Sequence, residues 1–412
     1  AAQFYFGKRS GELAIDEAAL LAGLIAAPNR FDPFAHPEAA RRRRGLVIAA
    51  LARERHVDEA LAGRLREAPL PASPHRLRWP PAAHYAEAVP GLGAAGGEVD
   101  SCLEPELQAA VEAGVAEAMR SLEQRHAGLR RLGSEGDPLQ VAVVAMAPDG
   151  RVLAVQGSRA GLAGEFDRAV QARRQVGSLV KPFVVAAALE EGWTLDASVD
   201  DAPLTVPVAG EAWSPENSDG RYRGLVTVRE ALVHSLNVPI VRLGLDVSVE
   251  RVAAELRGVG WAPPAGRPAV LLGAFEASPL EVARAYAALA QRGRLPVVRW
   301  RTDGTEPGAA ALDADAAAAV LAALREVVTR GTAATLAGAV SGELAAKTGT
   351  TDRRRDSWFV ALRPRVIIVV WVGTDGNRET GLYGATGALE VWRAIDGRVP
   401  AVWRSGSFAA QR

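Results

Sequence analysis

The sequence predicts an α+β fold in which strands from both ends of one domain form a single sheet and a long helical stretch lies between them. Apolar runs rich in β-branched residues occur at 139–156 and again at 344–372. The residues between these runs mostly have the apolar spacing of helices. Strands and helices that are segregated along the chain in this way are typical of the α+β class.

The size and composition of the chain are those of a globular protein with more than one folded part. The chain has 412 residues, of which 49% are hydrophobic and 23% are charged. Basic and acidic residues balance at 48 each, so the charge does not favour nucleic acid as a partner. The longest apolar runs are strand-sized, well short of the roughly 20 residues of a transmembrane helix. A single cysteine, Cys102, and scattered histidines lack metal-ligand spacing, so we predict no metal and no cofactor.

The first part of the chain is predicted to be helical. At 11–66 apolar residues recur at helical spacing, and Asp16 and Glu17 open one of the helices. We interpret the basic run Arg41–Arg44 as a solvated helix face and not as a nucleic-acid patch. The chain opens at Ala1, without an initiator methionine, in a stretch typical of the middle of a helical domain. We therefore expect a fragment or a processed product.

A linker is predicted to separate this part from a second domain. Residues 69–97 are rich in Pro, Ala and Gly and include Trp79, Pro80 and Pro81, and a long amphipathic helix is predicted at 104–125. The chain is therefore divided into four predicted segments. They are a helical segment at 1–68, a linker and connecting helix at 69–136, the second domain at 137–400 and a C-terminal tail at 401–412.

Turn signals bound each strand of the second domain. Residues 139–146 and 151–156 flank the turn at 148–150, which predicts a hairpin. A charged loop at 352–356 and Pro364 interrupt the later apolar runs. The three further strands predicted there are 344–351, 357–362 and 366–372.

The first chemical motif is Ser178-x-x-Lys181, ahead of an apolar helical run at 184–189. Ser178 and Lys181 lie one turn apart at a predicted helix N-terminus, so their side chains can meet. A serine hydroxyl needs a base to become nucleophilic, and a lysine whose pKa is lowered by burial or by cationic neighbours can be that base. The helix N-terminus also favours the negative charge that develops during attack.

The second motif is Ser235-Leu236-Asn237, within a stretch at 231–238 that follows a helical pattern. The Ser235 hydroxyl could relay a proton to a leaving group. The Asn237 amide could hold both a substrate carbonyl and the catalytic lysine. Taken alone, such a serine is more often an N-cap or turn residue.

The third motif, Lys347-Thr348-Gly349-Thr350, lies on a predicted strand. A strand beside the serine would supply a backbone N–H to an oxyanion hole, and Gly349 would allow close approach. Lys347 with Thr348 and Thr350 could bind a substrate carboxylate. The ordered set S-x-x-K, S-x-N and K-T-G matches the signature of penicillin-binding proteins and class A β-lactamases.

Lysine usage supports the motifs independently. Lysine occurs three times in the chain, at Lys8, Lys181 and Lys347, and arginine is used almost everywhere else. Because arginine stays charged in proteins, lysine is kept where a base must lose a proton or where a compact ammonium is needed. Two of the three lysines fall in the motifs.

The stretch from Trp213 to Asn217 lies between the first two motifs. Trp213 and Asn217 either line the cleft as substrate-binding residues or belong to a structural turn, and the residue types alone leave both interpretations open. No histidine offers a rival triad, because His234 adjoins Ser235 without a G-x-S-x-G elbow.

Together these motifs make the chain resemble the bifunctional class A penicillin-binding proteins over nearly its whole length. The stretches that carry the resemblance are Arg174–Ser178, Lys181–Phe183, Trp213-x-Pro-x-Asn217, Ala231–Pro239, Gly331-Thr332 and Lys347–Phe359. The resemblance implies a penicillin-binding, β-lactamase-like transpeptidase domain with an antiparallel five-stranded sheet and a helical subdomain. It also implies that Ser178 is acylated by the penultimate D-Ala of a stem peptide, that Lys181 is its base, and that the backbone N–H groups of Ser178 and Thr350 form the oxyanion hole.

The N-terminal residues resemble the final third of the family's lysozyme-like glycosyltransferase domain. This likeness rests on 2–8, 13–23, Ala27-Pro28 and His36-Pro37. Since the family's catalytic glutamates lie upstream of this part, residues 1–68 are not expected to polymerise glycan. The implied ligands are peptidoglycan stem peptides ending in D-Ala-D-Ala and β-lactam antibiotics. The implied parent protein is anchored at the periplasmic face of the bacterial inner membrane, with cell-wall synthesis partners.

Other activities stay open at this point. A D,D-carboxypeptidase uses the same acylation but gives the acyl group to water. A class A serine β-lactamase hydrolyses its acyl-enzyme with a loop glutamate, and no convincing Glu-x-x-x-Asn loop occurs between Ser235 and Lys347. A non-catalytic domain that binds β-lactam or peptidoglycan is disfavoured by the intact motifs. The glycosyltransferase-like segment favours the D,D-transpeptidase.

Overall fold

The computed structural model describes residues 1–8, 10–28, 30–73, 82–90, 99–208, 211–304 and 306–408. The chain forms two compact units, Ala1–Pro80 and Pro81–Arg412. Trp79, Pro80 and Pro81 of the predicted linker lie outside the described residues, as do 409–412 of the predicted tail.

The first unit is helical, as its apolar spacing predicts. Its helices are α1 (Ala2–Phe6), α2 (Ile15–Leu24), α3 (Pro37–Arg53) and α4 (Glu59–Glu67). At the start of α2 the Glu17 carboxylate accepts a hydrogen bond from the Ala14 N–H at 2.8 Å. The helices share a small apolar core, whose buried members are Ala19, Ile48, Val57 and Ala62.

The basic run at Arg41–Arg44 departs from the prediction of a solvated helix face. Arg44 is only 2% exposed. Its guanidinium donates to the carbonyl oxygens of Arg66 at 3.1 Å and Ala68 at 2.5 Å, at the C-terminal end of α4. The last carbonyls of a helix lack partners within the helix, so they are available to accept from the Arg44 guanidinium. The prediction was therefore wrong for Arg44.

The second unit contains the predicted sheet and the helices around it. Its helices are α5 (Ala83–Ala88), α6 (Pro105–Arg125), α7 (Ala127–Ser134), α8 (Lys181–Glu190), α9 (Val228–Val233), α10 (Val238–Val247), α11 (Val249–Gly258), α12 (Pro279–Ala290), α13 (Ala314–Thr329), α14 (Ala388–Asp396) and α15 (Ala401–Arg404). Its strands are β1 (Gln140–Met146), β2 (Val152–Gln156), β3 (Arg174–Gln175), β4 (Ser198–Asp201), β5 (Val206–Val208), β6 (Glu211–Trp213), β7 (Gly224–Thr227), β8 (Glu276–Ala277), β9 (Arg294–Leu295), β10 (Ala309–Ala310), β11 (Ala345–Thr350), β12 (Ser357–Leu362) and β13 (Ile367–Gly373).

The main sheet joins the two ends of the second domain. Its order is β11-β12-β13-β1-β2, and each neighbouring pair is antiparallel. Every residue of β12 and β13 is buried. Since side chains alternate between the faces of a strand, both faces of the sheet are covered there. The α+β class and the five-stranded antiparallel sheet are confirmed.

Helix α8 follows the first motif and runs through the core. All of its residues from Lys181 to Ala188 are buried. A helix that is apolar on every side is a core helix, which explains why this run lacks the one-sided pattern of a surface helix. The position of Lys181 at its first residue therefore places an amine within the protein interior.

The middle of the domain is less uniformly helical than predicted. Short strand pairs β3–β8, β4–β7 and β5–β6 interrupt the helices. The stretch at 231–238 was predicted as one helical pattern, but α9 ends at Val233 and α10 begins at Val238. Ser235 lies in the turn between them with φ 54°. The apolar periodicity continues across this break because both helices bury their flanking residues, so the pattern alone does not reveal it.

Candidate active site

Ser178 lies on a short turn that leads into α8. Residues Gly177–Val180 form a single 3₁₀ turn, and Ser178 is partly exposed at its surface. Gly177 has φ 53°, and a Cβ there would lie 2.7 Å from the Thr350 carbonyl oxygen. Only glycine fits this position without strain or displacement. The turn at Gly177–Val180 carries the predicted nucleophile and is called the nucleophile turn below. It therefore packs directly against the end of β11.

Two buried aromatic side chains hold the backbone on either side of Ser178. The Tyr286 hydroxyl donates to the Leu179 carbonyl at 2.8 Å. The Trp358 indole N–H donates to the Gln175 carbonyl at 2.9 Å. These bonds tie the nucleophile turn to α12 and to β12, which limits its freedom to move.

Lys181 is fully buried and is bonded to the second motif. Its Nζ atom lies 2.5 Å from the Ser235 carbonyl oxygen, 2.6 Å from Asn237 Oδ1 and 3.3 Å from Ser235 Oγ. Burial lowers the pKa of Lys181 well below its ordinary value, and the nearby Lys347 ammonium lowers this pKa further. A buried lysine whose pKa is lowered loses its proton more readily and can then act as a base.

Lys347 approaches the same serine from β11. Its Nζ atom donates to Ser235 Oγ and to the Thr348 carbonyl, each at 2.8 Å. The side chain is fully buried, and burial lowers the pKa of Lys347 to about 7. Ser235 Oγ is thus in contact with both amines.

The rest of the third motif forms a wall beside the nucleophile turn. A Cβ at Gly349 would lie 2.9 Å from Leu179 Cγ and from Trp358 Cβ, so a side chain there would displace β11. Thr348 Oγ1 is hydrogen-bonded to Thr332 Oγ1 at 2.6 Å. Thr350 Oγ1 accepts from the Gly384 N–H at 3.0 Å.

Trp213 and Asn217 differ in how closely they approach these groups. Trp213 ends β6, where it is partly buried and packs against the main core. Asn217 is 4% exposed, and its Oδ1 accepts from the backbone N–H groups of Asn237 at 2.8 Å and Val238 at 3.2 Å. No hydrogen bond between Trp213 and a motif residue occurs within the part of the chain that is described.

The sequence motifs do not indicate two buried carboxylates near the site. Asp201, fully buried on β4, accepts from Asn217 Nδ2 at 2.7 Å. Asp356 binds the Arg174 guanidinium at 2.9 Å, which links the segment before Ser178 to the loop after β11. Both residues lie far in sequence from the groups they hold, so no local spacing could indicate the contacts. The structure thus adds Asp201 and Asp356 to the residues that the motifs indicate.

Comparisons with known proteins identify the family of each part of the chain. Residues 140–389 match the model of the penicillin binding protein transpeptidase domain, and residues 1–52 match that of the transglycosylase family. Penicillin-binding protein 1B of Haemophilus influenzae is 31% identical over 95% of this chain and 53% of its own length. The Escherichia coli protein of the same name is 32% identical over 95% of this chain and 49% of its own length. The chain thus spans about half the length of these relatives.

Solved structures show the same fold. Penicillin-binding protein 1A from Haemophilus influenzae superimposes with a TM-score of 0.68 at 22% identity, over 96% of this chain and 81% of that one. PonA1 from Mycobacterium tuberculosis, solved in complex with penicillin V, gives 0.58 at 28% identity, over 72% of this chain and 84% of that one. The family match covers more than half of the chain and includes all three motifs. The chain belongs to the family of penicillin-binding protein transpeptidase domains.

Proposed function

We propose that this chain is a serine D,D-transpeptidase that cross-links peptidoglycan stem peptides through an acyl-enzyme at Ser178. The observation that carries the proposal is the state of Lys181, a fully buried amine held by Ser235 and Asn237 beside the nucleophile turn. A neutral amine has two N–H groups and one lone pair. Its two shortest contacts use both N–H groups, so the lone pair is left to take a proton from a hydroxyl.

Acylation follows from this arrangement. Ser178 Oγ attacks the carbonyl carbon of the penultimate D-Ala, and its proton passes to Lys181 Nζ. The backbone N–H groups of Ser178 and Thr350 stabilise the oxyanion. The C–N bond then breaks, and the nitrogen of the terminal D-Ala takes a proton from Ser235, which is replenished from the adjoining amines. The products are a Ser178 ester and free D-Ala.

The second half of the reaction transfers the acyl group. An amine of a second stem peptide attacks the Ser178 ester carbonyl, loses its proton to the lysine and serine relay, and forms the new peptide bond. Ser178 Oγ leaves the acyl carbon and takes a proton back from the relay, which restores the hydroxyl. The enzyme is then ready for a further donor.

Donor binding is assigned to the groups beside β11. Lys347 and the hydroxyls of Thr348 and Thr350 bind the carboxylate of the terminal D-Ala. The Asn237 amide donates one N–H to the Glu216 carbonyl at 2.6 Å. Its second N–H is left to hold a donor carbonyl. Penicillins offer the same carboxylate and a strained amide, so they acylate Ser178 as well.

Two related activities share this acylation and differ in the acceptor. A D,D-carboxypeptidase or a β-lactamase would release the acyl group to water within its normal turnover. The transglycosylase match at residues 1–52 favours the transpeptidase, because cross-linking of stem peptides accompanies glycan synthesis. We propose the bacterial cell envelope as the place of action. Within the described residues, none of the helices has the length and hydropathy needed to cross a bilayer.

Intact-mass spectrometry with a penicillin tests the proposal. Wild-type protein should gain one penicillin mass, which persists for many minutes, whereas the Ser178→Ala variant should gain none. Rapid loss of the adduct would indicate a β-lactamase instead. Absence of an adduct on folded wild-type protein would refute the acyl-enzyme and leave a non-catalytic binding domain.

A further inference from the structure

We infer that Asp201 and Asn217 are positioning residues that orient Asn237 and, through it, the general base Lys181. This inference rests on the proposed function, and it concerns groups that touch no substrate. The bonds run in series from Asp201 to Asn217, from Asn217 to the backbone of Asn237, and from the Asn237 side chain to Lys181.

The start of α10 explains why a second asparagine is needed. Asn237 occupies the N-cap position of α10, where an asparagine side chain ordinarily accepts a hydrogen bond from the first turn. Here its side chain makes no cap bond, because Oδ1 accepts from Lys181 at 2.6 Å. Asn217 Oδ1 accepts from the Asn237 and Val238 N–H groups instead. Another segment therefore satisfies the first two N–H groups at this helix start, and the Asn237 side chain is left to hold the base.

Asp201 and the Arg221 carbonyl together fix the orientation of the Asn217 amide. A carboxylate only accepts hydrogen bonds, so it requires the NH₂ end of Asn217 to face it. The distance from Asn217 Nδ2 to Asp201 Oδ1 is 2.7 Å, and the same nitrogen donates to the Arg221 carbonyl at 2.8 Å. The Asn217 oxygen is consequently directed at α10. The Arg221 carbonyl also only accepts, so an asparagine at position 201 would remove one of the two obligate acceptors that hold the Asn217 nitrogen and would weaken this orientation.

The orientation of Asn217 affects Lys181 because the acceptors that hold the Lys181 amine all lie on one turn. Ser235 O, Ser235 Oγ and Asn237 Oδ1 belong to the turn between α9 and α10. Ser235 has φ 54°, which costs a non-glycine residue conformational energy and requires support from its surroundings. Asn217 holds the end of this turn. A displaced turn would move the three acceptors that hold the Lys181 amine and would change the position of that amine.

The test compares Asp201→Asn with Asp200→Asn. Asp200 is the preceding residue of β4, its side chain is 47% exposed, and its nearest cation is Arg242 at 3.8 Å. Rapid-mixing measurements with a fluorescent penicillin give the dissociation constant of the first complex and the rate constant of acylation separately. We expect Asp201→Asn to lower the acylation rate constant by about 10- to 100-fold, as misplacement of a catalytic group does. The dissociation constant should change less than about twofold in this isosteric variant.

Asn217→Ser is the second variant, and it should also slow acylation without weakening the first complex. Circular dichroism and thermal unfolding show whether each variant is folded. If Asp201→Asn acylates as fast as Asp200→Asn, or if either folded variant weakens the first complex and leaves the rate constant unchanged, the inference is wrong. If wild-type protein is not acylated at all, the proposed function fails instead, so the two failures are distinguishable.

Discussion

Lys181 and Lys347 both contact the Ser235 hydroxyl, and their charges are coupled. The Lys347 ammonium contributes to the lowering of the pKa of Lys181, whereas burial alone lowers the pKa of Lys347. Both amines are therefore shifted towards the neutral form, and Lys181 is shifted by the neighbouring charge as well as by burial. A lowered pKa suits an amine that accepts a proton from the nucleophile.

The pH dependence of acylation should respond to Lys347→Met. Acylation needs neutral Lys181, so its rate should rise as pH increases through the lowered pKa of that group. Removing the Lys347 charge raises the pKa of Lys181, so the midpoint of this rise should move to higher pH in the variant. The measurement is the acylation rate constant with a penicillin from pH 5 to 10. Lys8→Met, which removes an amine paired with Glu17, is the control and should leave the midpoint unchanged.

At the scale of single residues, the motif residues were predictable from the sequence, but the residues that hold them in place were not. Ser178, Lys181, Ser235 and Lys347 could be named because each motif is short and each residue type matches a chemical role. Asp201 could not, because its role depends on Asn217 and on a helix end that no spacing connects to it. The two interpretations of Asn217 could be compared only once its amide bonds were known.

Among the elements, β11 and the nucleophile turn are in direct contact. Gly177 and Gly349 allow this contact from opposite sides, since a Cβ on either would meet the other segment. Strand β11 was predictable from its apolar pattern and its K-T-G motif. The break between α9 and α10 was not, because the burial of flanking residues continues the helical periodicity across the turn.

Gly349→Ala should slow acylation. The new methyl group would lie 2.9 Å from Leu179 Cγ and Trp358 Cβ, so β11 must move away from the nucleophile turn. We expect a loss of about 100-fold in the acylation rate constant, typical of small misplacements in an active site. Gly128→Ala is the control, because nothing lies within 4 Å of the added carbon. Equal rates for the two variants would contradict the assigned contact.

The Arg174–Asp356 ion pair links the segment before Ser178 to the loop after β11, and the neighbouring Arg173 provides a matched control. Arg174 pairs with Asp356, and both side chains are largely buried, at 14% and 3% exposure. Arg173 pairs with Glu281 at 48% and 34% exposure. Arg174→Met leaves a buried carboxylate without its cation and should lower the free energy of unfolding by about 3 to 5 kcal/mol. Arg173→Met should cost less than about 1 kcal/mol. Urea unfolding measures both.

At the scale of the whole molecule, two fully buried lysines have a cost that depends on pH. The pKa of Lys347 is about 7 in the folded protein and near its ordinary value of 10.5 in the unfolded chain. Between these values the unfolded chain binds one more proton than the folded protein. Stability from this group therefore increases as pH rises from 7 towards 10.5, and below pH 7 the full cost of burying the charge is present.

Lys347→Met should flatten this dependence. Wild-type protein should gain up to about 1.4 kcal/mol per pH unit from this one group between pH 7 and 9, and the variant should lack that gain. The measurement is the free energy of unfolding in urea at several pH values, with Lys8→Met as the control. Parallel curves for wild type and Lys347→Met would show that Lys347 keeps its charge in the folded protein.

The order of the main sheet has a consequence for synthesis of the chain. Strand β1 is the fourth strand of the sheet, yet its partner β13 ends at Gly373. The β1–β2 hairpin is therefore synthesised long before β13, the strand that completes the pairing of β1. Contacts so distant in sequence fold slowly, and the apolar edge of β1 is exposed meanwhile. A chain interrupted between α8 and β13 would carry Ser178 and Lys181 but no complete sheet to hold them, so premature termination there leaves an aggregation-prone product and not a weakened enzyme.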